Sequence, residues 1–180
     1  MSSILTEFGS SFLEKLAELS PNDKLAIGLA YINRQSELVS LFDKKYGTKM
    51  NEAFCREIQK GAKILEGEPN EPIDIDLLYS IIPDADDYSG IECSYVQNSF
   101  LSIYYLFKFF IKNDDHTLQQ ALDMALENID VINYSKNSCY DEESVFLNEV
   151  KILNRILEEV KKHTTCISDI LDKEAKILAT

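Results

Sequence analysis

The residue types best suited to chemistry in this chain are carboxylates. Asp84, Asp86 and Asp87 stand close together, and Glu92 follows them. Carboxylates at such spacing can hold a hard divalent cation through oxygen. A calcium loop needs acceptors at positions 1, 3, 5 and 12, with glycine at 6. Counted from Asp84, the acceptor positions hold Asp84, Asp86, Tyr88 and Tyr95, and Ser89 takes the glycine's place. The last three fail, so a capped, solvated turn is the better reading, with no metal and no cofactor expected. A second triplet, Asp114-Asp115-His116, has the composition of an acid–base cluster. Its position ahead of an apolar run reads better as a helix cap with histidine in the first turn. His163 lies among Lys161, Lys162, Thr164 and Thr165, where a helix end suits a cation. Two histidines so far apart form no metal centre, and no Asp-x-x-His or Glu-x-x-His pair of the di-iron kind occurs.

Nucleophiles fare no better. Cys55, Cys93, Cys139 and Cys166 are too widely spaced for a C-x-x-C site and read as plain thiols. The chain has six glycines, and they form neither common phosphate-binding loop nor a G-x-S-x-G elbow. The expectation is a binding protein rather than an enzyme.

Charge says what it would bind. Residues 1–65 hold 9 basic and 8 acidic groups, and residues 150–180 hold 6 and 5. Residues 66–149 hold 3 and 18, which places the whole net charge of −13 and more in the central segment. Seven of the nine tyrosines fall there too. A concentrated negative field attracts a cationic partner and speeds the encounter. It disfavours nucleic acid, which asks for a basic stripe, and Lys44, Lys45 and Lys49 read as a small solvated patch.

Two loops are the candidate contact regions: Asp84, Asp86, Asp87, Tyr88 and Glu92 on one, Tyr140, Asp141, Glu142 and Glu143 on the other. The sequence leaves open whether they share a face. The leading expectation is a small acidic immunity protein that blocks the basic cleft of a cationic, nuclease-type toxin in the bacterial cytoplasm, acting as monomer or dimer. One alternative is a metal-dependent helical enzyme using the carboxylates around residues 84–92. The other is a homodimer formed through the aromatic face of residues 100–110.

Helices must position these loops. Apolar spacing is helical almost throughout, and no segment alternates at period two. Ile4, Leu5, Phe8, Phe12, Leu16 and Leu19 form one stripe. Ser20-Pro21-Asn22-Asp23 then carries a cap, a proline at the first turn and a capping-box acid. The helix it opens either runs on or breaks before Leu38. Tyr46-Gly47-Thr48 reads as a stop followed by a new cap, and residues 67–72 as the clearest loop. A short helix is expected over 75–81, a long apolar one over 91–112, and another after Asp114-Asp115. Asp141-Glu142-Glu143 suits the positive end of a further helix, and a terminal helix is expected over 167–178. The most apolar stretch, residues 100–111, is about twelve residues long, where a bilayer span needs about twenty. Residues 1–7 lack the basic start of a secretory signal, so no membrane partner is expected. The expectation is a single all-α domain over residues 1–180, a bundle of about seven or eight helices.

Several segments resemble the YjaG-like family of bacterial helical proteins. They are Leu19-Ser20-Pro21 with Leu25-Ala26, Tyr46-Gly47, and residues 77–88, in which Ile82-Pro83-Asp84-Ala85-Asp86-Asp87-Tyr88 is the most characteristic. The resemblance spans about residues 10 to 160 and implies an all-helical fold. It brings no activity with it.

Overall fold

The computed structural model describes residues 3–68, 72–162 and 167–174. These form ten α-helices and one 3₁₀ turn, with no strand among the described residues. In order they are α1 (Ile4–Phe8), α2 (Ser10–Ala17), α3 (Pro21–Asn33), α4 (Ser36–Tyr46), α5 (Met50–Glu66), α6 (Ile75–Ser80), the 3₁₀ turn Ala85–Asp87, α7 (Ile91–Lys112), α8 (Asp115–Lys136), α9 (Glu142–Lys161) and α10 (Ile167–Glu174). Eight of the ten run to eight residues or more, which matches the expected all-α bundle. His163, Cys166, Pro69 to Glu71 and the end of the expected terminal helix lie outside the described residues.

Helix α3 is the hub. Every residue from Lys24 to Ile32 is buried, because α5, α7, α8, α9 and α10 all pack against it. A helix apolar on all sides belongs inside a protein. Close approach is bought with small residues: a methyl at Gly28 would lie 2.4 Å from Leu106 Cδ1 on α7, and one at Gly61 would lie 2.7 Å from Leu29.

The polar exceptions on this hub are all paired. At its start, Lys24 Nζ reaches both carboxylate oxygens of Asp115, at 2.8 and 2.9 Å. At its end, the Arg34 guanidinium donates to Glu149 on α9 at 2.6 Å, and the Tyr31 hydroxyl donates to the same oxygen at 2.8 Å. Burial, with the Glu149 charge adding to it, pushes the Tyr31 hydroxyl well above its ordinary pKa. Removing one partner of such a buried pair leaves a desolvated charge behind.

Local signals in the sequence set most helix ends. The Ser20 hydroxyl oxygen accepts the Asp23 N–H at 3.2 Å, as the capping motif predicts. Gly47 and Gly67 end α4 and α5 in left-handed geometry, at φ 68° and 69°. Asp114 and Asp141 cap α8 and α9. Two ends differ from expectation, at Gly9 and Thr48, and the helix left open before Leu38 takes its second alternative and breaks. The first stripe breaks at Gly9 into α1 and α2, and the α3 helix stops at Arg34–Gln35 before α4 begins. Thr48 does not cap α5. Its hydroxyl donates to Asp43, and that carboxylate, in the last turn of α4, accepts the N–H groups of Met50 and Asn51 at 2.7 and 2.8 Å.

Candidate functional site

Helices α7 and α8 form an antiparallel hairpin closed by Asn113 and Asp114. Its open end therefore brings the start of α7 beside the finish of α8. The pairing is visible in Asn128, whose amide donates to the Tyr95 carbonyl at 3.0 Å and to Ser99 Oγ at 3.1 Å. It is visible again in the Ser135 side chain at the end of α8, which lies close enough to the Tyr95 hydroxyl to influence it. Both candidate loops sit at this end. Residues 84–92 lead into α7, and residues 137–143 lead out of α8.

The acids divide by what they already do. Asp84 Oδ1 accepts the Asp86 N–H at 3.0 Å, which shapes the 3₁₀ turn, and Asp141 Oδ1 accepts the Ser144 N–H at 3.1 Å. Both are exposed, as are Asp86, Asp87, Glu142 and Glu143. Among the described residues none of these six has an ion-pair partner. Glu92 differs. It meets Lys45 Nζ at 2.6 Å, and that bond holds the Glu92 carboxyl below its usual range and Lys45 above its own.

The two loop tyrosines are also engaged internally. Tyr88 packs edge-to-face against Phe42 and Tyr46, with ring centroids 4.9 Å apart in each case. The Tyr46 hydroxyl in turn donates to the Ser89 carbonyl at 2.8 Å. Tyr140 donates its hydroxyl to Asp130; burial and then that carboxylate push its pKa far up. Both rings shape their loops and leave little free surface. Exposed apolar groups at this end come instead from Tyr134, 61% exposed on the last turn of α8, and Ile91, 38% exposed at the start of α7. Tyr134 sits one turn beyond Asp130. The sequence signal for it was helical spacing from Asp130, which carries no mark of exposure on its own.

The Asp114-Asp115-His116 triplet disperses into separate tasks. Asp114 accepts the His116 N–H at 3.2 Å and the Thr117 hydroxyl, and these bonds lower its pKa. Asp115 holds Lys24. His116 lines a groove of about 210 Å³ between the N-terminal segment and α8, with Ser3, Ile4, Tyr105, Asp123 and Glu127. Asp123 Oδ1 accepts the Leu5 N–H at 3.0 Å. Burial raises the Asp123 carboxyl above its ordinary range, and Glu127 is raised by burial and then by repulsion from Asp130 and Asp123. Among the described residues no three of His, Cys, Asp and Glu lie close enough together to hold a metal ion. Cys55, Cys93 and Cys139 are free thiols, the first two pushed up by burial. No described helix is long and apolar enough to cross a membrane. Phe100, Phe107 and Phe109, on the aromatic face considered for dimerisation, are core.

No protein-family model matches the sequence, and no curated protein matches it. In three dimensions the chain is similar to the crystal structure of a DUF416 family protein from Shewanella baltica. The two share 15% sequence identity and a TM-score of 0.74, over 91% of this chain and 92% of that one. The chain therefore has the fold of that DUF416 protein.

Proposed function

We propose that this is a binding protein whose acidic end, at the open end of the α7·α8 hairpin, docks a cationic protein partner. One observation carries the reading: six exposed carboxylates, none with an ion-pair partner among the described residues, stand at that end on two loops. Unpaired acids steer a basic partner into contact, while Tyr134 and Ile91 supply apolar surface among them. In its sharper form the partner is a bacterial toxin of the nuclease type. Such an enzyme needs a positive cleft for phosphate, and a rigid polyanionic surface can fill it. The role is then that of a cytoplasmic immunity protein. Membership of the DUF416 family, and the YjaG-like relationship read from residues 77–88, belong to the same proposal and are supported by the shared fold.

The test is affinity capture from native bacterial lysate at low salt, with salt-stepped elution and mass spectrometry. A stoichiometric basic protein that elutes with salt is the expected result. The triple variant D84N/D86N/D87N should lower its association rate about tenfold at low salt and flatten the salt dependence. Asparagine retains the oxygen that accepts the Asp86 N–H, so the turn is kept. An unchanged rate removes this loop from the interface.

A further inference from the structure

At the other end of α7 the surface chemistry reverses. A groove of about 310 Å³ runs between α6 and the last turns of α7, lined by Ile75, Asp76, Tyr104, Lys108, Ile111 and Lys112. Tyr104, Lys108 and Ile111 fall at i, i+4 and i+7, so they form one stripe along α7. The Tyr79 ring extends the stripe onto α6, its centroid 5.2 Å from that of Tyr104. Tyr79 is 60% and Ile111 54% exposed, among the most exposed large apolar side chains described. Lys108 Nζ hangs over the Tyr104 and Tyr105 rings, at 5.4 and 5.8 Å from their centroids. Among the described residues neither Lys108 nor Lys112 has an ion-pair partner. They are two of the three basic residues in the acidic segment 66–149, and both stand in this groove.

We infer that this groove docks a short acidic peptide segment of a partner protein, with one aromatic or aliphatic side chain anchored against Tyr79, Tyr104 and Ile111. Charge complementarity selects the occupant. The exposed Tyr79 ring and the half-buried Tyr104, beside two lysines without ion-pair partners among the described residues, suit a carboxylate flanking an apolar anchor, and aromatic residues are what interface centres favour. An extended polyanion is excluded by scale. A nucleic acid or an anionic bilayer meets the whole −13 charge. A segment a few residues long sits within a Debye length of about 8 Å and meets the local cations. The volume lies near the bottom of the roughly 300–1,000 Å³ typical of ligand pockets, which is room for one or two side chains. Asp76 on the rim opposes the lysines and sets the direction of one test. The inference stands apart from the proposed function: Lys108 lies roughly 26 Å along α7 from Ile91, although on the α6 side Tyr79 precedes the Asp84 turn by only five residues.

A phage-displayed random peptide library panned on the wild-type protein, with counter-selection on K108E/K112E, tests it. Enriched peptides should carry several Asp or Glu around a Phe, Tyr, Leu or Ile. In fluorescence anisotropy, one such labelled peptide should bind K108E/K112E about tenfold more weakly, and weaken as salt rises. It should bind D76N roughly threefold more tightly, a change no general loss of folding could produce. Enrichment of neutral or basic peptides, equal binding to K108E/K112E, or no enrichment overturns the inference. Concentration-dependent association in sedimentation velocity, abolished by K108E/K112E, assigns the groove to a second copy of this chain and overturns it as well.

Discussion

At Gly90 the backbone has φ 150°, and a methyl there would come within 2.3 Å of Lys45 Nζ and 2.7 Å of Glu92 Oε2. The ion pair that ties α4 to the start of α7 lies directly over this glycine. Gly90→Ala should therefore strain the backbone and push the pair apart, costing about 1–3 kcal/mol in urea unfolding. The Cys93 N–H, which donates to the Gly90 carbonyl at 3.1 Å, should exchange with solvent faster. Unchanged exchange there would mean the turn is held by its aromatic packing alone. The same locality limits what the sequence could say about Tyr88 and Tyr140. Each stands beside acids in the chain and so reads as a free loop aromatic. Phe42 and Tyr46 come to Tyr88 from more than forty positions away, and no local spacing announces them. Asp130 is closer to Tyr140, yet only the turn after α8 brings the two together.

Among the elements, α5 depends on a cap borrowed from its predecessor. Asp43 satisfies two of the free N–H groups at the start of α5 and also binds Thr48. Asp43→Ala should destabilise the protein by about 1–2 kcal/mol, read by thermal unfolding followed by circular dichroism. Thr48→Val should cost less, since it removes one donor and leaves the two backbone bonds in place. Equal losses would show Thr48 to be the working cap after all. This cap marks where legibility ends. Ser20, Asp114 and Asp141 cap through partners two or three residues away, and such pairs can be read from the chain. Asp43 reaches seven and eight residues ahead across a left-handed glycine, and its role depends on the path of that turn. The long helices were legible for a related reason: apolar spacing over twenty residues outweighs any one side chain. Gly9 breaks the first stripe because α1 and α2 must both meet α9, a demand made by packing.

For the whole molecule, the balance of carboxylates sets how stability follows pH. Asp123 and Glu127 have folded-state pKa values raised by burial, with Asp130 repelling Glu127 and His116 facing Asp123. Their contribution is complete below the ordinary carboxylate range and is lost as pH rises through the raised values. Glu92 and Asp114 are lowered by the Lys45 and Thr117 hydrogen bonds, so they act in the opposite sense. Their contribution is present above the ordinary range and is lost as pH falls through the lowered values. Glu127→Gln removes a half-buried, repelled charge. It should raise Tm at pH 7 by roughly 1–2 °C, with the gain closing as the medium is acidified. A lower Tm at neutral pH would show the Glu127 charge to be favourable where it stands. The placement of acids along the chain was legible, but that both loops stand at one end of the α7·α8 hairpin was not. Nor was the cation–aromatic groove, because it needs α6 folded back on α7 to bring Tyr79 against Tyr104.

A helix buried on every side has no wet face to tell it which way to turn. For α3 that instruction comes from Lys24, Gly28, Tyr31 and Arg34. A slip by one turn, about 5.4 Å, would set Lys24 or Ile32 where Gly28 now meets Leu106. It would also carry Arg34 away from Glu149 and leave both charges stranded in the interior. Four residues thus act as punctuation in an otherwise uniform apolar sentence, rejecting misaligned assemblies that the hydrophobic effect alone would accept.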